Sequence, residues 1–267
     1  MTFPFVPAPR LADRPLVLGH RGASSSAPEN TLAAFELAMA EGADGVELDA
    51  WRCATGEVVV IHDEETTRTC GERLAVPEAS LAALRRLDAG RWKGEPFRGE
   101  RIPLLAEVLE ALPAAVVNVE LKSRGGRPDR GLAAGVARVV TGAGAAERVI
   151  VSSFDFGLLA AFREEAPQVA TGLLFEPAWH RPVRVALAMA RLRPSALHPA
   201  SSLCTPARLA GWIAAGQAVN AWTVDGPEEV VRLTRAGVTG LVCNAPGKVR
   251  RLVDAELGRG ARTRSRA

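Results

Sequence analysis

"LGHRGASSSAPENTLAAFELAMAEGADGVELDAW", residues 18–51, reads as a strand, a helix and a second strand. An apolar run from Leu16 to Leu18 ends in His20 and Arg21, and a later run from Val46 to Ala50 carries Glu47 and Asp49. Between them Leu32, Phe35 and Met39 share one helical face. Asn30 or Thr31 can cap that helix, and Gly42 follows its end. Charges are costly on a strand that faces a core, so the two acids and the histidine beside them ask for a chemical reason.

The same alternation continues along the chain. Strands are expected at 15–20, 44–50, 57–62, 115–121, 148–153, 169–174, 195–198, 217–223 and 238–243. Helices are expected at 31–41, 78–87, 104–112, 130–142, 155–165, 183–192, 205–215, 227–236 and 246–257. Near-continuous apolar runs such as "AAVVNVEL" and "GLVC" suit parallel strands buried on both faces. Over 267 residues this pattern predicts an α/β fold, a (β/α)8 TIM barrel. A doubly wound sheet competes, but no GxGxxG or GxxxxGK[ST] follows an early strand. Nine strands are one too many. The 57–62 strand lies only a Thr55-Gly56 turn beyond its predecessor, which suggests a hairpin return. The expected organisation is a leader over 1–13, a barrel domain over 14–257 with an insertion at about 63–103, and a basic disordered tail over 258–267.

Composition narrows the function classes. Hydrophobic residues are 48% and charged residues 24%, as in an ordinary globular protein. The net charge of +3 comes from the end of the chain, where residues 250–267 hold six Arg against one Asp and one Glu. The rest has 27 basic and 28 acidic residues, which argues against a nucleic-acid partner. No apolar run approaches the ~18 residues of a membrane span, so no stable membrane insertion is expected. The N-terminus lacks a signal-peptide pattern, and Cys53, Cys70, Cys204 and Cys243 are scattered. Reduced thiols and a cytoplasmic location are the expectation; the oligomeric state stays open.

In a barrel the chemistry sits at the C-terminal ends of the strands. Those ends carry His20-Arg21, Glu47 and Asp49, His62-Asp63, Glu120 and Lys122, Ser152-Ser153, His198, Trp222 and Cys243-Asn244. Glu47 and Asp49, two apart on a strand, point to one face, and Glu120 with Lys122 repeats that geometry. Three carboxylates converging on one mouth need positive charge among them. Arg21 and Lys122 supply part of it; a hard divalent cation on an all-oxygen set, Mg2+ or Ca2+, does it better. Two histidines beside the acids suit acid and base roles in one displacement, and an arginine fork suits phosphate. Together these residues describe phosphoryl transfer at a diester.

"HRG", "PENT", "VELD", "VVIHD", "ERIPLLAEVLEAL", "NVELK", "VSSF" and "AWTVD" resemble, in order and spacing, the glycerophosphodiester phosphodiesterases. The resemblance runs from about Leu16 to Val249 and implies a phosphodiesterase barrel with a small insertion. It implies His20 and His62 as the acid/base pair, and Glu47, Asp49 and Glu120 as ligands of one divalent cation. Arg21 and Lys122 then correspond to phosphate contacts and Trp222 to a residue lining the substrate pocket. The implied reaction is hydrolysis of small glycerophosphodiesters, such as glycerophosphocholine or glycerophosphoethanolamine, to sn-glycerol 3-phosphate and an alcohol. Two departures touch the pocket wall: "LVCNAP" has Cys243 where the family often has Thr, and "RTC" stands for "RTT".

Rival readings remain at this level. A lysophospholipase D-like lipid phosphodiesterase would use the same site, and a non-catalytic phosphodiester-binding homologue would need a lost ligand or histidine. A barrel glycosidase is opposed by the two histidines and Arg21. Ser152 has no GxSxG elbow around it. His180 reads as a solvated loop residue. His198 either lines the pocket or caps a strand, and Asp63 either orients His62 or caps a turn. "PENT" reads mainly as a helix start, with Asn30 the cap and Glu29 in a supporting role.

Overall fold

The computed structural model describes residues 8–11, 13–124, 128–177 and 182–264. Eight parallel strands close into a barrel: β1 (Leu16–His20), β2 (Gly45–Arg52), β4 (Val116–Leu121), β5 (Val149–Ser153), β6 (Ala170–Phe175), β7 (Ala196–Pro199), β8 (Ala218–Ala221) and β9 (Gly240–Cys243). Closure runs through β1, which pairs with β9 at Leu16–Gly240 and with β2 at Leu18–Gly45. The ninth strand, β3 (Val58–Val60), pairs antiparallel with β2, Ala50 opposite Val60. The hairpin reading of this strand therefore holds. A parallel return needs a crossover of about a dozen residues, which the five residues between Arg52 and Val58 cannot supply.

The helices are α1 (Leu32–Ala40), α2 (Thr67–Cys70), α3 (Leu81–Leu84), α4 (Leu105–Ala111), α5 (Arg130–Gly142), α6 (Phe156–Glu165), α7 (Pro182–Leu192), α8 (Pro206–Ala214), α9 (Pro227–Arg235) and α10 (Pro246–Arg264). Outward strand residues such as Leu48, Val119 and Val151 pack with Phe35, Leu105 and Val136 of these helices. The alternate residues, Glu47, Asp49, Asn118, Glu120 and Ser152, are thereby turned into the barrel. Ala8, ahead of β1, packs with Ile150, Ala170, Ala196 and Ala218.

Two expected helices differ. The one over 78–87 shrinks to α3. Ser80 caps its start and Arg85 its end, and beyond it Asp88 accepts the backbone N–H groups of Gly90, Arg91 and Gly99 in the turn that follows. The helix expected to stop at 257 extends to Arg264, so the stretch read as a disordered tail is helical that far, through Gly258 and Gly260 and the helix formers Ala261, Arg259 and Arg262. The insertion folds over its own small core of Trp51, Val59, Ile61, Val76, Leu84, Leu87 and Ile102.

Candidate active site

Register brings the acids together. His20 lies opposite Glu47 across β1–β2, and Asp49 lies opposite Glu120 across β2–β4. One carboxylate oxygen from each of Glu47, Asp49 and Glu120 falls within 4.8 Å of the others, and all three residues are buried. Lys122 Nζ sits among them, 2.8 Å from Asp49 Oδ1 and 2.7 Å from Glu120 Oε1. Arg21 Nε lies 3.2 Å from Asp49 Oδ2.

The charges do not balance. Burial, with Asp49 and Glu120 nearby, pushes the Glu47 carboxyl well above its ordinary range, and burial raises Glu120 as well. Burial opposes ionisation of Asp49 too, but Lys122 and Arg21 outweigh it and hold that carboxyl below its usual range. Three acids against two cations leave Glu47 without a counter-charge. An all-oxygen, net-negative cradle of this kind fits a hard divalent ion, and Glu47, Asp49 and Glu120 are the residues that can hold one.

The "HRG" turn carries the first histidine. Arg21 and Gly22 both have positive φ, and the Arg21 N–H donates back to the Glu47 carbonyl at 2.9 Å. A side chain at Gly22 would meet the Ala34 carbonyl carbon at 2.5 Å, so only glycine lets this turn press against α1. His20 Nδ1 lies 2.7 Å from Asn244 Oδ1. The Asn244 amide is oriented by Asp225, whose carboxylate accepts both its Nδ2 at 2.6 Å and its backbone N–H at 2.8 Å. An amide oxygen can only accept, so His20 carries its proton on Nδ1 and turns the bare Nε2 toward Glu47, 3.9 Å away. Burial, helped by Arg21, lowers the His20 pKa.

The second histidine arrives on the β2–β3 hairpin. Trp51 Nε1 donates to the His62 carbonyl at 3.1 Å, and His62 Nδ1 donates to Asp63 Oδ1 at 2.7 Å. Asp63 is therefore the orienting partner rather than a cap. Arg68 bonds Asp63 and, with its other nitrogens, Glu29, which also accepts from Arg21 at 2.9 Å. Glu29 thus ties the two histidine turns together.

"PENT" does more than start a helix, and the assignment of Asn30 as the cap is corrected. Thr31 is the N-cap, its hydroxyl accepting from the Ala34 N–H. Asn30, at φ 58°, turns its amide inward and donates to Asp49 Oδ2 at 2.7 Å. Asp225 and the inward role of Asn30 are what sequence reasoning missed, and Asn244 was placed at a strand end without a role. The hint for Asn30 was two adjacent capping side chains where a helix needs one.

His20, Arg21, Glu47, His62, Glu120, Lys122 and Trp222 line one pocket of about 270 Å3 at the C-terminal mouth of the barrel. Trp222 stands at its rim, edge-on to Phe154 with centroids 5.4 Å apart. His198 forms the floor, where burial lowers its pKa to about 3; its Nε2 accepts from Asn220 at 3.0 Å. A side chain at Gly172 would meet that nitrogen at 2.5 Å. Ser152 is fully buried and lines neither this pocket nor its neighbour. Cys243 is buried with its thiol toward the Leu18 carbonyl, away from the pocket lining. His180 lies outside the described residues. A second cavity of about 580 Å3 shares His62, Glu120, Lys122 and Phe154 with the pocket and runs out past Phe156, Glu176 and Arg184.

The model of the glycerophosphoryl diester phosphodiesterase family matches residues 20–248. The chain belongs to this family. It is a phosphoric diester hydrolase of the glycerophosphodiester phosphodiesterase type. It is 38% identical over 240 residues to a glycerophosphodiester phosphodiesterase of Caldanaerobacter subterraneus subsp. tengcongensis, covering 89% of this chain and 97% of that one. An Oleispira antarctica phosphodiesterase, solved in complex with the product sn-glycerol-3-phosphate, superposes with a TM-score of 0.80 at 28% identity, over 90% of this chain and 97% of its own. The Thermotoga maritima glycerophosphodiester phosphodiesterase gives 0.73 at 27% identity, over 92% and 100%. The family match over residues 20–248 contains every residue of the site described above.

Proposed function

We propose that this protein hydrolyses glycerophosphodiesters to sn-glycerol 3-phosphate and an alcohol, with one Mg2+ or Ca2+ held by Glu47, Asp49 and Glu120. The observation that carries the reading is three buried carboxylates within 4.8 Å at a barrel mouth flanked by His20 and His62. When bound, the cation supplies Lewis-acid polarisation of a phosphate oxygen. Arg21 and Lys122 present positive charge at the same mouth and take the remaining phosphate oxygens. His20 and His62 each have Nδ1 engaged, by Asn244 and Asp63, which leaves two Nε2 atoms for the proton transfers. One removes the proton of the attacking hydroxyl, from water or from the substrate's own glycerol. The other delivers a proton to the departing alkoxide. Trp222 supplies an apolar wall for the glycerol or its partner alcohol. The product complex of the Oleispira phosphodiesterase supports the glycerol 3-phosphate half of this reading.

The adjoining cavity, with Phe154 and Phe156 in its wall, favours a second reading in which the glycerol that keeps the phosphate carries an acyl chain, as in a lysophospholipase D. One assay covers both. Glycerol 3-phosphate release is measured from glycerophosphocholine and glycerophosphoethanolamine, and choline release from lysophosphatidylcholine, each with EDTA, Mg2+ or Ca2+. Metal-dependent product from the small diesters, lost in Glu47→Ala, is expected. Product from the lysolipid alone would shift the reading to the lipid enzyme, and none from any substrate would overturn both.

A further inference from the structure

Residues 177–224 contain no aspartate or glutamate and carry five arginines, while the rest of the chain holds 28 basic and 30 acidic residues. Two neighbouring outer helices, α7 and α8, lie in this stretch. α7 is apolar on two sides. Val185, Ala188 and Leu192 pack inward with Leu173, Phe175 and Leu197. On the opposite side Val183 is 63% and Leu187 66% exposed, and Ala186 and Ala190 are exposed beside them. Spacings of three, four and seven make one continuous stripe, which a helix covering a barrel in water does not need. Arg184 and Arg191, two turns apart, stand along one edge of it.

The next helix extends the face. Trp212 of α8 packs into the α7 cluster, edge-on to Phe175 at 5.8 Å, while Ile213 and the alanines at 207, 210 and 214 face out with Arg208. Among the described residues, Arg184, Arg191, Arg193 and Arg208 have no carboxylate within ion-pair distance. On α9, by contrast, Arg232 and Arg235 pair with Glu229 and Glu256. Arg184 also lines the larger cavity, so the apolar and basic face borders the way into the site.

We infer that the α7–α8 face docks the protein on an anionic lipid surface. The Val183–Leu187 stripe enters the interfacial layer and the arginines meet lipid phosphates, with the cavity opening beside the bilayer. Among the described residues no helix is long and apolar enough to cross a membrane, so the contact is peripheral. Charge decides the occupant: a second copy would set arginines against arginines across a two-fold axis, and a neutral bilayer offers them no net counter-charge.

The test uses the full chain and sedimentation with vesicles of phosphatidylglycerol and phosphatidylcholine, against pure phosphatidylcholine. Binding to the anionic vesicles alone, weakened by added salt, is expected. Leu187→Glu with Arg191→Glu should lower the partition coefficient by about tenfold or more. Turnover of water-soluble glycerophosphodiesters should be unchanged, since neither residue lines the pocket or the cavity. Val183→Ser with Leu187→Ser removes the stripe without adding charge and should weaken binding as well. The inference is overturned by no binding to anionic vesicles at low salt, by equal binding of the variants, or by a solution dimer that Leu187→Glu dissociates. Vesicle binding is read without turnover, so its failure is distinct from failure of the proposed reaction.

Discussion

His198 sets a pH limit on the fold. Its ring is 1% exposed at the floor of the pocket, and burial lowers its pKa to about 3. In the unfolded chain it titrates with the ordinary value near ~6.5. Between these two values the unfolded state binds the extra proton. Stability is therefore full above about pH 6.5 and falls as the pH drops toward about 3. At pH 5 the gap amounts to about 1.5 units, and at about 1.4 kcal/mol per unit the loss is about 2 kcal/mol relative to neutral pH. His198→Gln keeps an acceptor for Asn220 and cannot take up the proton. Urea unfolding of both proteins at pH 7, 6 and 5 isolates the effect, because every other titrating group is common to the pair. The wild type should lose about 2 kcal/mol more than the variant between pH 7 and 5. Parallel curves would refute the reasoning and mean that His198 accepts a proton without leaving its place.

Other expectations follow from the same geometry. Asn244→Ala frees His20 Nδ1 from its oriented acceptor, and kcat should fall about 10–100-fold with KM little changed, read from glycerol 3-phosphate release. Asn30→Gly tolerates the positive φ but leaves Asp49 Oδ2 without its amide donor, so stability should fall by about 1–3 kcal/mol in urea unfolding; a neutral result would mean water replaces the amide. Adding Mg2+ or Ca2+ at about 100 times its dissociation constant should stabilise the fold by about 2.7 kcal/mol, seen as a rise in Tm. Glu47→Ala should abolish that rise, and a rise that persists would move the cation elsewhere.

Much of this was legible before any coordinates. Strand ends are where a parallel barrel exposes side chains, so "HRG", "VELD" and "NVELK" could be read as one mouth from the alternation alone. The β2–β3 hairpin was legible because turn length restricts strand direction. The extents of α3 and α10 were not. Beyond α3, Asp88 gathers N–H groups as far off as Gly99 into a turn, a non-local arrangement that a helical window does not see. α10 continues through residues that charge alone assigned to a tail.

What the amino-acid order determined by itself was the set of reacting groups and the layer they occupy, because periodicity and strand ends are local properties. Only the tertiary structure decided how those groups are held. Asp225 orients Asn244, which sets the His20 proton, and these residues meet across 224 positions of chain only because β9 closes on β1. Asn30 went to Asp49 and left the cap to Thr31, since one buried carboxylate needed a donor that no spacing rule supplies. The outward apolar stripe of α7 is equally non-local. Its residues are ordinary core formers in the sequence, and exposure follows from which side the barrel already fills.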